Sequence, residues 1–69
     1  MKIIVKSGNR HRLVTITEIE GGVQTSMFDG DTFVDLIKYR KLETAEFHLP
    51  RFLAKHGFTE DDIVSRRER

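Results

Sequence analysis

Asp29-Gly30-Asp31-Thr32-Phe33-Val34-Asp35-Leu36-Ile37-Lys38-Tyr39-Arg40-Lys41 is the stretch on which the fold turns. Asp29-Gly30-Asp31-Thr32 closes whatever precedes it and offers a helix start, because Thr32-x-x-Asp35 has capping-box spacing. Lys38, Arg40 and Lys41 suit the negative end of a helix dipole. Phe33, Leu36, Ile37 and Arg40 follow the spacing of one helical face, with Val34 alongside. The pattern predicts a helix from about Thr32 to Lys41, within residues 29–42, that covers the apolar side of a sheet.

Upstream, residues 1–28 read as that sheet. Ile3–Lys6 leads into the turn-rich Ser7-Gly8-Asn9-Arg10, Arg12–Glu20 follows, and Gly21-Gly22 is a two-residue hairpin signal before Val23–Phe28. A three-stranded antiparallel meander is the simplest topology. Its register can be worked by hand. The first loop sets Ile3 opposite Val14 and Val5 opposite Arg12, and a turn at Gly21-Gly22 sets Glu20 opposite Val23 and Ile16 opposite Met27. Ile3, Val5, Val14, Ile16, Val23 and Met27 then share a core face. Lys2, Lys6, His11, Thr15, Thr17, Gln24 and Ser26 share a polar face, on which Ile4, Leu13, Ile19 and Phe28 also fall.

Downstream, residues 43–69 are expected to hold a short edge strand or link, two short helices and a basic tail. Glu43–Leu49 alternates in strand fashion, and Leu49 is steered toward extended geometry by Pro50. Pro50 suits the first position of a helix over Pro50–His56. Gly57 fits the left-handed position just past that helix, and Thr59-Glu60-Asp61-Asp62 is a capping box for a second helix, Glu60–Ser65. Phe58 lies between the two signals. Schellman geometry would set it against Leu53 and staple geometry against Ile63, so both helices are expected to hinge on its buried ring. The fold class is therefore α+β: a three-stranded meander on one helix, followed by two short C-terminal helices.

Composition narrows the function classes. A chain of 69 residues makes one domain, 1–69, whose single core leaves only about 3–5 kcal/mol of net stability and favours oligomerisation. The absence of cysteine removes disulfides and thiolate metal cages. The opening Met-Lys-Ile-Ile-Val-Lys carries too short an apolar run for a signal peptide or membrane span and reads as the first strand of a cytoplasmic protein. Net charge is +1, but it is blocked: residues 1–17 carry bases without acids, and residues 18–35 acids without bases. Such blocks suit charge-guided docking or head-to-tail association, unless they neutralise one another across the fold.

Catalytic and metal signals are weak. Asp29, Asp31 and Asp35 match calcium-loop offsets, but Arg40 stands where the bidentate Glu is required. His48 and His56, with Glu46 nearby, fit no metal-ligand spacing, and His11 lies at a hairpin tip. No enzyme activity, metal, cofactor or small-molecule substrate is expected. The reading favoured is a non-enzymatic regulatory or adaptor module that binds another protein or its own copy through Ile4, Leu13, Ile19 and Phe28, an apolar patch ringed by polar residues. The alternative is a DNA-binding regulator that lays the polar sheet face in a groove. Lys2, Lys6, Thr15, Thr17 and Gln24 on that face, with Arg10 and Arg12 at the hairpin tip, are its contact residues, the bases being read by Gln24 or Asn9. The Phe58 joint superficially resembles a helix-turn-helix, but Glu60-Asp61-Asp62 would repel phosphate there.

Overall fold

The computed structural model describes residues 1–68. Four strands run as a meander: β1 (Lys2–Ser7), β2 (Arg10–Ile19), β3 (Gly22–Asp29) and β4 (Thr32–Tyr39). Helix α1 (Leu42–Lys55) then crosses one face of the sheet, a 3-10 turn occupies Glu60–Asp62, and β5 (Ile63–Arg67) pairs antiparallel with β1. The result is a five-stranded antiparallel sheet in the order β4-β3-β2-β1-β5.

This overturns the expected three-stranded meander with three helices. The predicted Thr32–Lys41 helix is strand β4. Thr, Phe, Val, Ile and Tyr crowd this stretch and are poor helix formers that pack well on a pleated surface. Gly30, at φ 61°, takes the first position of a two-residue turn that brings Thr32 opposite Asp29. That turn returns the chain along β3 and satisfies a ladder that would otherwise be left open. The helical spacing of Phe33, Leu36, Ile37 and Arg40 is a coincidence of period. Asp35, Ile37 and Tyr39 face one side and Leu36 and Lys38 the other, as strand alternation requires.

Two further corrections lie downstream. Glu43–Leu49, read as a strand or link, belongs to α1, and Pro50 sits inside that helix instead of starting one. Ala45, Leu49, Phe52 and Leu53 give α1 a buried stripe that outweighs the missing Pro50 N–H. The Thr59–Asp62 capping box exists, with the Thr59 N–H donating to Asp62 Oδ2 at 2.8 Å, but it opens only the 3-10 turn. Ile63 and Val64 are β-branched, and the chain beyond Asp62 covers the free edge of β1 in place of the predicted second helix.

The Phe58 joint has the geometry that the sequence implies at its helix-ending side. The Phe58 N–H donates to the Leu53 carbonyl and the Gly57 N–H to the Ala54 carbonyl, both at 3.0 Å, with Gly57 at φ 82°. This is a Schellman end. Phe58 is buried among the core residues Ile3, Val5, Val14, Ile16, Val23, Met27, Ala45, Leu49, Phe52 and Leu53. The six predicted core positions of the sheet are all among them.

The β1–β2 register is the predicted one, Ile3 with Val14 and Val5 with Arg12. The β2–β3 register is shifted by two residues, with Ile19 opposite Gly22 and Val14 opposite Met27. The turn residues are Glu20 and Gly21, the latter at φ 86°. Gly22 is already in the strand, where a side-chain carbon would run into the Tyr39 carbonyl oxygen. A two-residue slip preserves which face each side chain occupies, so the predicted faces survive the wrong pairing.

Candidate functional site

Helix α1 and Phe58 cover one face of the sheet and leave the other open. Partner residues in an antiparallel ladder point to the same side, so the register assigns the open face residue by residue. Ile4 lies opposite Leu13, Leu13 opposite Phe28, and Phe28 opposite Phe33. Together they form one apolar row across β1, β2, β3 and β4, roughly 14 Å long at ~4.8 Å per strand. Ile4 is 42% exposed and Phe33 56%. The Phe28 and Phe33 rings meet edge to face, with centroids 6.0 Å apart. Leu36, opposite Ser26, extends the apolar surface along β4. A shallow depression of about 370 Å³ opens beside the row, lined by Ile4, His11, Arg12, Leu13, Gly30 and Asp31.

Charge on the sheet is sorted by face. Lys2, Lys6, Lys38 and Arg67 project from the open face with His11. The strand carboxylates Glu18, Asp29 and Asp35 are register partners of the core-side residues Val23, Thr32 and Met27. Along the open-face strand positions there is thus no carboxylate, although Asp31 in the β3–β4 turn lines the depression beside the row. The blocks seen along the chain become opposite faces of the sheet only in part, because Arg10, Arg12 and Arg66 pair with the helix side.

The predicted protein-contact residues separate accordingly. Ile4, Leu13 and Phe28 stand together in the row, whereas Ile19 shares the face but lies at its far end against Gly22, with Thr15 and Thr17 between. Phe33 and Leu36 were hidden by the helical reading of their stretch. The Asp29-Gly30-Asp31 turn followed by β-branched and aromatic residues would have marked the strand, but plain alternation would set Phe33 and Leu36 on opposite faces; a bulge, where the register jumps from Phe28–Phe33 to Met27–Asp35, brings both to the open side. Of the predicted nucleic-acid contacts, Lys2, Lys6, Thr15, Thr17 and Gln24 lie on the open face. Arg10 and Arg12 do not join them. Arg10 stacks 4.4 Å from the Phe58 ring centroid and donates to the His56 carbonyl. Arg12 lies 5.7 Å from the same ring and pairs with Asp29 at 3.5 Å. Both guanidiniums close the end of the core on the helix side, and Asn9 sits in the β1–β2 turn.

The remaining titratable side chains brace α1 against β4. His56 Nε2 stands 2.9 Å and Lys55 Nζ 3.0 Å from Asp35 Oδ2, while the Leu36 N–H donates to Asp35 Oδ1 at 2.8 Å. These bonds, the one from His56 foremost, lower the Asp35 carboxyl to about 2. Asp35 is therefore a clamp between strand and helix and not the Thr32 cap that its spacing implied. His48 stacks on Tyr39, with ring centroids 5.7 Å apart and planes within 6°. Burial raises the Tyr39 hydroxyl above its ordinary value, opposed by Arg51 and Lys55 nearby. Among the described residues, no group of three or more His, Asp or Glu side chains stands in a metal-holding arrangement, and no helix is long and apolar enough to cross a membrane.

No protein-family model matches the chain, and neither a curated protein nor a solved structure matches it.

Proposed function

We propose that this protein is a small regulatory or adaptor module, without catalysis of its own, that binds another protein through the open face of its sheet. The observation that carries this reading is the row Ile4–Leu13–Phe28–Phe33, an apolar strip rimmed by Lys2, Lys6, Lys38 and Arg67. An apolar centre with a charged rim is the anatomy of a protein interface. Phe33, large, aromatic and more than half exposed, has the character of an interface anchor. Binding its own copy face to face is the weaker form of this reading, because the two faces would bring like charges together.

The experiment is a capture from the source cell by the tagged chain and by two variants. One carries Ile4→Asp with Phe33→Asp on the open face; the other carries Phe47→Asp on the outer side of α1, where Phe47 is 80% exposed. A protein retained in stoichiometric amount by the wild type and by Phe47→Asp, and lost from the open-face variant, supports the reading. Capture that is indifferent to the open-face substitutions overturns it.

A second reading, nucleic-acid binding, draws on the same carboxylate-free face and on Phe33 as a stacking surface. It loses Arg10 and Arg12, which are spent on Phe58 and Asp29. Duplex and single-stranded DNA titrations at low and moderate salt test it, with salt-sensitive amide shifts at Lys2, Lys6 and Gln24 as the positive result.

A further inference from the structure

We infer that the occupant of the open face is an acidic amphipathic helix of another protein, its apolar stripe laid along Ile4, Leu13, Phe28 and Phe33 and its carboxylates set against Lys2, Lys6, Lys38 and Arg67. This rests on the reading of the open face as a protein-binding surface and names the chemistry of the partner.

Three observations select this occupant. The first is charge. The open-face strand positions carry Lys2, Lys6, Lys38 and Arg67 and no carboxylate, Glu18, Asp29 and Asp35 are partners of core-side residues, and the acid lining the depression beside the row is Asp31, set against His11 and Arg12. A complementary surface must therefore supply negative charge, which a second copy of the same face does not.

The second is shape. Neighbouring members of the row are one strand spacing apart, ~4.8 Å, close to the ~5–6 Å between side chains at i and i+3 or i+4 on a helix. The row's length of roughly 14 Å corresponds to about ten helical residues at 1.5 Å each. A partner helix of three turns fills the row from β1 to β4.

The third is the kind of apolar surface. Ile4 and Leu13 are aliphatic, and Phe28 meets Phe33 edge on. Stacked bases need flat, open rings and have no use for the aliphatic half of the row, whereas the leucines of an amphipathic helix use all of it. The cations stand outside the row, Lys2 and Arg67 on one side and Lys6 on the other, with Lys38 beyond Leu36. That is where the flanking positions of such a helix would carry Glu or Asp.

The test uses the full chain, isotopically labelled and followed by amide shifts, and four probes. They are a synthetic helix of about 15 residues, or four turns, with Leu at i, i+3, i+4 and i+7 and Glu elsewhere; the same peptide with Lys for Glu; the Glu peptide with its leucines scrambled; and a single-stranded thymidine oligonucleotide. The Glu peptide should shift Lys2, Ile4, Lys6, Leu13, Phe28 and Phe33, bind at least tenfold more tightly than the Lys and scrambled peptides, and weaken as salt rises. Phe33→Ser, an exposed position whose fold is checked by its own amide spectrum, should weaken the Glu peptide at least tenfold. Absence of Glu-peptide binding, equal binding of the Lys peptide, tighter binding of the oligonucleotide, or shifts centred on α1 would each overturn the assignment. If the cell-derived partner is still lost on Ile4→Asp with Phe33→Asp while the Glu peptide fails, the face binds protein and only the partner's chemistry is wrong. If both fail, the open-face reading falls with it.

Discussion

Asp35→Asn removes the charge that joins β4 to the end of α1. Asp35 Oδ2 receives both His56 Nε2, at 2.9 Å, and Lys55 Nζ, at 3.0 Å, and Oδ1 accepts the Leu36 N–H at 2.8 Å. The carboxyl is lowered to about 2 from its ordinary 3.8, and at ~1.4 kcal/mol per pKa unit that gap corresponds to about 2 kcal/mol. Solvent reaches the side chain, which is 23% exposed, and this trims the effect to about 1–2 kcal/mol. Because the folded value is the depressed one, the stabilisation is fully present above the unfolded carboxyl's pKa and is lost as pH falls from about 4 through about 2. Urea unfolding of wild type and Asp35→Asn should differ by about 1–2 M in midpoint at neutral pH, given a slope of ~1 kcal/mol/M for so small a domain. The difference should shrink toward zero at pH 2. A gap that is absent at neutral pH, or that stays constant down to pH 2, would refute the clamp.

Three further substitutions probe the frame that presents the open face. Phe58→Ala empties a fully buried site and strips the partner from the Arg10 guanidinium, so it should cost about 3–5 kcal/mol in chemical denaturation; a loss under about 1 kcal/mol contradicts the joint. Thr25 is 1% exposed and its Oγ1 has no hydrogen-bond partner, so Thr25→Val should raise stability by about 1 kcal/mol, and an unchanged or lower midpoint counts against the packing described. Gly22→Ala sets a methyl against the Tyr39 carbonyl oxygen and should cost at least about 2 kcal/mol through overpacking of backbone on backbone; a neutral result would mean that β3 and β4 do not approach there.

The sheet was legible wherever period and turn chemistry agreed. Ile3, Val5, Val14, Ile16, Val23 and Met27 alternate in short runs separated by Gly-containing turns, and all are buried. Even the misplaced Gly21-Gly22 turn kept them on the right face, since its error was an even number of residues. Thr32–Tyr39 failed because an edge strand with apolar residues on both sides can satisfy a helical count, and only the tertiary need of β3 for a partner decides between the two. Pro50 misled for a related reason. Its local rule marks a helix start, but the stripe Ala45, Leu49, Phe52 and Leu53 gains more from burial in one continuous helix than the lost hydrogen bond costs.

At the candidate site, Ile4, Leu13 and Phe28 could be placed on one face from the first three strands alone. Phe33 and Lys38 could not, because their face depends on β4 being a strand, and Arg67 needed β5. No local signal showed that the Arg10 and Arg12 guanidiniums would lie over the Phe58 ring.

Whether the open face of the sheet is the contact surface is read by an amide-resolved hydrogen-exchange and chemical-shift map of the chain with its captured cellular partner bound. Protection and shifts at Lys2, Ile4, Lys6, Leu13, Phe28, Phe33 and Leu36, with the outer side of α1 around Phe47 unchanged, are the predicted result. A footprint on Phe47 and its neighbours, with the row from Ile4 to Phe33 as solvent-exposed as in the free protein, would contradict it.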